Sequence, residues 1–482
     1  MTSFLFYLFV VLLIWALSKV LSHPERIYQY PYFMAAVFAI FILPQAVSLL
    51  RFPGAAPDEA VQRVLLMTCL CLAGCLAAVG RLTQLPAFTW FSGRVDRHKL
   101  FHAGLVFTAC GLLFSYVLAH TEVQTSEVGG WTGPATIYGF FQQLCYPGFA
   151  ICLMLAVRRP TLLSIAATLV SGIVPVQSIL FGRREPAALF VLTIGLTWFF
   201  QRGLRPARWL VASTLGLAMI AIPATATYRR FHLQNDWESV RQIEFVENFK
   251  DFLDEGSVLE LRNAAMLIEA TRRSGDYEWG AGYWNHLVFR FVPAQILGEP
   301  FKESLMLRLP HEGLESELAA MDYVNPVGST VTAMGDSFQQ FGYWGCLFFL
   351  GLGLFFRTLW SAAAPRDALF AQLLYIQSCT SAMRAVTHWT LDFLPGFLYS
   401  LIFLGLAAAY ASISTPAPTR PTAPSMGPDP QPARPKCSPS RAPVVSTPPF
   451  RSVRSYLPSI FATMKINTAP PNPPPSRRYR SE

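Results

Sequence analysis

The chain has 482 residues, of which 52% are hydrophobic and only 14% charged, with a positive mean hydropathy. That balance is too apolar for a soluble protein, which at this length would form about three domains; one helical membrane domain is expected instead. The net charge of +9 does not indicate nucleic-acid binding, because the basic residues lie mostly in short connections and a tail beside apolar runs, where they set orientation.

Windows of about 19 residues predict an all-α, polytopic membrane fold of about eleven transmembrane helices. The spans lie near 3–21, 32–50, 62–80, 100–119, 133–156, 160–180, 186–200, 207–225, 341–360, 367–386 and 393–413. The first run has no preceding basic residue and no A-x-A site after it, so it reads as a retained helix rather than a signal peptide. If 81–99 is cytoplasmic, alternation puts 13 basic residues on that side: Lys19, Arg26, Arg81, Arg94, Arg97, Lys99, Arg158, Arg159, Arg202, Arg205, Arg208, Arg357 and Arg366. The other side holds five: Arg51, Arg63, Arg183, Arg184 and Arg384. The expected topology therefore has the N-terminus outside and the C-terminus cytoplasmic.

Residues 1–225 thus carry eight spans and 341–413 three. Between them, 226–340 reads as an extracytoplasmic loop with 18 Asp/Glu and ten Lys/Arg. Trp237, Val240, Ile243, Val246, Phe249 and Leu253 recur at helical spacing, with Asp236 to cap the start and Gly256 to end the turn. Ser257-Val258-Leu259-Glu260 reads as a capping box opening a second helix that runs to about Arg273 and stops at Gly275. A connection this long inside a tightly linked bundle points to function. Residues 414–482 hold 18 of the 37 prolines and ten Lys/Arg against Asp429 and Glu482, the composition of a disordered basic tail.

Eight cysteines lie within or beside apolar runs and Cys437 sits in the tail, so no disulfide framework is implied. Cys71 and Cys75 share a helix face without a nearby His or carboxylate and read as small buried residues. The eight histidines form no ligand spacing, and neither a metal nor a cofactor is expected.

The strongest departure from the orientation pattern is Gly182-Arg183-Arg184-Glu185-Pro186, which puts two arginines in a short outside connection. The following run, Pro186 to Phe200, is about 15 residues, roughly 22 Å of helix against a hydrocarbon core of about 30 Å. A sunken helix start with arginines and unpaired N–H groups makes an anion site; the other reading is that both arginines snorkel to lipid phosphate and Glu185 favours the helix start. Arg384, Thr387, His388 and Asp392 cluster at a later outside turn, with Arg384 and His388 four apart, either sharing a ligand or lining an interface. Arg229 and Arg230 flank the eighth span. Tyr277 to Trp284 is rich in aromatic residues suited to a membrane interface or to sugar stacking, Arg290 lies in the apolar stretch after it, and Asp336 is the one acidic residue in 325–345, expected just outside the membrane.

The stretch WGAGYWNHLVFRFVPAQILGEPFK, from Trp279 to Lys302, resembles the Y-G-x-x-Y, Ile/Val-Pro and Lys-Pro pattern of bacterial oligosaccharide repeat-unit polymerases, the Wzy-type O-antigen polymerases. Downstream, GDSFQQFGYWG, from Gly335 to Gly345, resembles the way these proteins lead into a late membrane helix. The likeness covers roughly 180–410; the arginine common after the proline is here Ala294, and the Lys-Pro turn reads Glu299-Pro300-Phe301-Lys302. The resemblance implies a metal-independent glycosyltransferase without cofactor that joins polyprenyl-pyrophosphate-linked oligosaccharide repeat units into surface polysaccharide, in contact with membrane lipids, with a chain-length regulator as candidate protein partner. The leaving group's charge would then fall to Arg183, Arg184, Arg290 and Arg384, and Glu185, Asp336 and His388 are the candidate bases. An O-antigen ligase using the same donor is the rival enzyme, and a flippase of lipid-linked sugars the rival outside enzymology, although no internal repeat supports transport.

Overall fold

The computed structural model describes residues 1–78, 95–125, 131–234, 236–255, 259–310, 312–326 and 329–412. The expected disordered tail, 414–482, and Cys437 within it lie outside the described residues. Apart from a short antiparallel ladder pairing Gln124–Thr125 with Trp131–Thr132, the described elements are helices.

Nine of them are, among the described residues, long and apolar enough to cross a membrane: Thr2–Ser22, Tyr30–Arg51, Asp58–Ala77, Arg97–Ala119, Pro134–Arg158, Leu162–Leu180, Arg208–Thr225, Thr332–Ala363 and Thr390–Tyr410. The remaining two expected spans are helices as well, Arg184–Arg202 and Leu369–Thr387, but polar residues dilute their hydropathy. Those residues turn inward: Thr193, Thr197 and Gln201 on one, Gln372, Gln377 and Ser378 on the other, are all buried. Gln201 donates to Gln372 Oε1 at 2.6 Å, so protein supplies the partner that lipid cannot. A helix screened by its neighbours has no need of an apolar surface all round. Thr2–Ser22 is the opposite case, with Phe4, Tyr7, Val11 and Ile14 exposed along one side.

The structure corrects the short seventh helix. Expected over Pro186–Phe200, it runs from Arg184 to Arg202, 19 residues, or about 28 Å at 1.5 Å per residue. Pro186 falls in the first turn, where its missing N–H has no intrahelical acceptor to lose, and Gln201 continues the far end because Gln372 receives it. The helix is thus of nearly full membrane length and its start is not sunken for want of residues.

Hydrogen bonds sort the helix connections into two ends. At one, Arg97 and Arg158 meet Asp367, Arg202 donates to Val157 O, Arg208 to Ser22 O, and Asp96 N to Ala411 O. At the other, Arg51 pairs with Asp254 at 2.5 Å, Arg262 donates to the carbonyls of Phe52 and Pro53, and Tyr228 donates to Leu180 O. These groupings match the alternation expected from the sequence.

The segment between the Arg208–Leu233 helix and Thr332 is a set of short helices on the second end. The run expected as one amphipathic helix over 237–253 is two, Trp237–Arg241 and Phe245–Glu255, broken at Gln242–Glu244; Asp236 caps the first, accepting from Ser239 N at 3.1 Å. Gly256 and the capping serine, Ser257, lie outside the described residues. The next helix, Glu260–Ser274, ends as expected at Gly275 with φ of 76°. At its start Gln45, reaching from another helix, accepts from Leu261 N at 2.9 Å. Glu260–Ser274 is no surface loop element: Leu261, Ala264, Ala265, Met266 and Ile268 belong to the main core, packed between Asp58–Ala77 and Thr332–Phe341. Cys71 and Cys75 are fully buried there, Cys75 Sγ lying 3.6 Å from Tyr30 Oη.

Thr332–Phe341 turns at Gly342 (φ 58°) into a single 3-10 turn before Leu347–Ala363. At this turn Gly345 lies so close to Ser337 that a Cβ would collide with its backbone carbonyl. Gly345→Ala is expected to lower stability by about 1–3 kcal/mol through overpacking, measured as a drop in unfolding temperature in detergent.

Candidate functional site

Three stretches far apart in sequence meet at the second end of the bundle. The first is the opening turn of Arg184–Arg202, which holds Glu185. The second is the last turn of Leu369–Thr387 with the following turn to Asp392. The third is the helix Ala281–Phe291, on which Tyr283, His286 and Arg290 stand three and four residues apart and so share a face.

Arg384 is the centre. Its Nε lies 3.5 Å from Glu185 Oε2 and its Nη2 3.0 Å from Asp392 Oδ2, while the other Asp392 oxygen is 3.1 Å from His286 Nε2. Arg384 and Asp392, with Arg290, Phe140, Gln143 and Tyr399, line a cavity of about 30 Å³, room for about one water.

Beneath this layer Asp336 acts as a girder. Expected just outside the membrane, it is instead buried at 3% exposure in Thr332–Phe341, because the turn after His388 folds over it and uses its carboxylate. Oδ2 accepts from Thr390 N at 2.7 Å, from Leu391 N at 3.3 Å and from the Thr390 hydroxyl. With the Thr390 proton so used, Tyr283 O–H is left to donate to Thr390 Oγ1, at 2.7 Å. Asp336 therefore positions the turn that presents Asp392.

His388 is half-buried beside the cluster. Thr387 donates its proton to Met383 O, so the 2.9 Å contact from Thr387 Oγ1 to His388 Nδ1 is made with Nδ1–H as donor, leaving Nε2 as the acceptor. Burial, with the charges of Arg384 and Arg184, pushes its pKa down to about 4, so the ring is neutral at neutral pH.

The structure separates the two sequence-adjacent arginines. Arg183 is exposed and acts on Glu185 and Tyr146; Arg184 is half-buried, 6.0 Å above the Phe41 ring, and feels Glu260, Arg229 and His388. Arg290 acts on Arg384, Asp392 and Glu185. Five guanidinium groups, Arg183, Arg184, Arg229, Arg290 and Arg384, thus surround three carboxylates, Glu185, Asp392 and Glu260. Among the described residues only Arg384 has a carboxylate within 4 Å. Arg230 lies over the Phe231 ring instead.

Sequence reasoning missed His286 and Tyr283. The spacing of 283, 286 and 290 was the available signal, since polar groups three and four residues apart in a largely apolar helix share one face. The aromatic segment serves packing in part: Tyr283 stacks on Phe341 and Phe348 and Trp284 Nε1 donates to Leu305 O, whereas Trp279 stays exposed.

Neither a protein-family model, nor a curated protein, nor a solved structure matches this chain. Its chemistry has to be argued from its own side chains.

Proposed function

We propose that the protein is a polysaccharide polymerase that extends a glycan carried on a polyprenyl pyrophosphate, at the outer face of a bacterial inner membrane. The observation that carries this reading is the excess of guanidinium groups at one end of a membrane bundle: Arg384, Arg290 and Arg183 act on Glu185, Arg184 and Arg229 lie beside them near Glu260, and among the described residues four of the five have no carboxylate within 4 Å. Such a cluster suits a polyanion that arrives with a lipid, and arginine forks bind phosphate oxygens in pairs.

In this scheme an acceptor hydroxyl attacks the anomeric carbon of the donor sugar. The C–O bond to the diphosphate breaks, and its electron pair leaves on the diphosphate, where Arg384 and Arg290 meet the growing charge. The hydroxyl proton passes to Glu185, the carboxylate nearest Arg384 on the helix start, with His388 Nε2 as the second acceptor. Asp392, held by His286 and by the turn over Asp336, fixes the Arg384 plane. The cavity as it stands has room for about one water, so a diphosphate enters only as the side chains lining it rearrange. The end rich in basic residues is cytoplasmic in this reading, which puts the cluster and the N-terminus outside.

The test is direct. Purified protein in lipid nanodiscs, given lipid-linked repeat units, is expected to make longer products, and Arg183→Ala with Arg184→Ala is expected to cut the rate at least tenfold while insertion is unchanged. An unchanged product ladder in the double variant would remove these arginines from the site. Accumulation of unligated long polymer in a deletion strain, in place of loss of polymer, would turn the reading to a ligase. Movement of intact donor across the membrane without extension would turn it to a flippase.

A further inference from the structure

On the outer side of the short helices lies a second, open cavity of about 420 Å³, with mostly polar walls that include Ser274, Asp276, Arg308, Gly313, Ser316 and Glu317. Arg308 and the two carboxylates face one space, yet among the described residues no ion pair closes between them. Each wall is fixed by its own local contacts. Asp276 N donates to Ser274 Oγ at 3.1 Å, and its carboxylate rests against Gly313, where a Cβ would collide with Oδ2. On the opposite wall, Asn285 clamps Leu307 through two hydrogen bonds of 2.7 Å, and Trp284 holds Leu305 O at 2.8 Å. The basic wall therefore hangs on the same Ala281–Phe291 helix that carries His286 and Arg290 to the transfer cluster.

We propose that this cavity binds a polyhydroxylated sugar unit of the glycan being extended. The inference rests on the glycan-transfer reading above and adds the place where the sugar is gripped. Carboxylates accept from neighbouring hydroxyls, the guanidinium donates to ring and hydroxyl oxygens, and the serines do both. The volume sits at the lower end of the range for small-molecule sites, about 300–1,000 Å³. Unpaired charges exclude an apolar occupant. Among the described residues two carboxylates face one guanidinium, which favours a neutral or amino sugar over a uronate.

The experiment is saturation-transfer NMR on the full chain in nanodiscs with three probes: a neutral hexose trisaccharide, a glucosamine trisaccharide and a galacturonate trisaccharide. Transfer to the neutral or the amino sugar is expected, with the uronate weaker. Asp276→Asn combined with Arg308→Ala is expected to weaken binding at least tenfold, and Gly313→Ala, which displaces the Asp276 carboxylate, serves where that pair fails to fold. Arg384→Ala is expected to leave sugar binding intact while lowering extension at least about 100-fold. No binding by any probe, equal binding of the uronate, or binding that survives these cavity variants overturns the proposal. Sugar binding in a protein that never extends a glycan would sink the transfer reading alone.

Discussion

Replacing Arg384 by alanine is expected to lower glycan extension by about 100- to 1,000-fold, the range seen when one preorganised charge-stabilising donor is removed. Arg384 spans Glu185 and Asp392 at 3.5 and 3.0 Å. Its loss takes the ion pair from Glu185 and leaves Asp392 with His286, and removing one partner of a buried pair costs about 3–5 kcal/mol; with Arg384 28% exposed, solvent screening puts the effect toward or below the lower figure. Activity must therefore be scored per folded molecule. Arg384→Lys separates the two effects, since an ammonium keeps the charge but gathers its donors on one nitrogen and lacks the planar fork that spans two carboxylates and pairs with phosphate oxygens. It is expected to recover most of the stability and little of the rate. Adding Glu185→Gln to Arg384→Ala is expected to restore stability without activity, and a cycle of the two variants measures the coupling. Full activity in folded Arg384→Ala protein would remove the cluster from the mechanism.

The largest stability effect is expected away from the cluster, at Glu269. This carboxylate is 1% exposed and receives Arg63, Arg272 and Arg273, with Arg63 also held by Glu59 at 2.8 Å. It pins the Glu260–Ser274 helix to Asp58–Ala77. Glu269→Ala leaves Arg272 and Arg273 without a counter-charge and Arg63 with Glu59 alone; breaking a buried pair costs about 3–5 kcal/mol, solvent screening of the two exposed arginines puts the loss toward the lower figure, and it is read from thermal unfolding in detergent. Burial alone would raise the Glu269 pKa, but hydrogen bonds from Arg272 and Arg273 and the charge of Arg63 bring it below the ordinary glutamate value of 4.5. A carboxylate depressed on folding stabilises fully above its unfolded pKa, and the contribution drains as pH falls through that value to the folded one. The unfolding temperature is thus expected to be less acid-sensitive in Glu269→Ala than in the parent below about pH 5, and the difference between them to be flat above it. An equal acid response in both would show that Glu269 carries no such linkage.

Among the described residues, hydropathy located the nine helices apolar enough to cross a membrane and two more, Arg184–Arg202 and Leu369–Thr387, whose polar content keeps them below that threshold. It misjudged Arg184–Arg202 by two residues at each end, because Arg184, Glu185, Gln201 and Arg202 are polar where the backbone is still helical. That small error created a short helix that the fold does not contain. At the cluster, Arg384, Glu185 and Arg290 were legible as charges out of place, and the structure brings them together. Asp336 was legible only as a lone acid; whether it faced water or a buried turn depended on residues 54 and 55 positions later, Thr390 and Leu391.

Composition and charge spacing determine by themselves that this chain is a helical membrane protein, where its helices run and which connections share an end. These are sums over neighbouring residues, and a bilayer responds to such sums. The tertiary structure alone decided that Arg384 is held by Glu185 and Asp392, that Glu260–Ser274 is core, and that Asp336 supports a turn. Each of those depends on hydrogen-bond geometry between distant segments, which no local pattern records because the energy exists only once the packed chain excludes water around both partners.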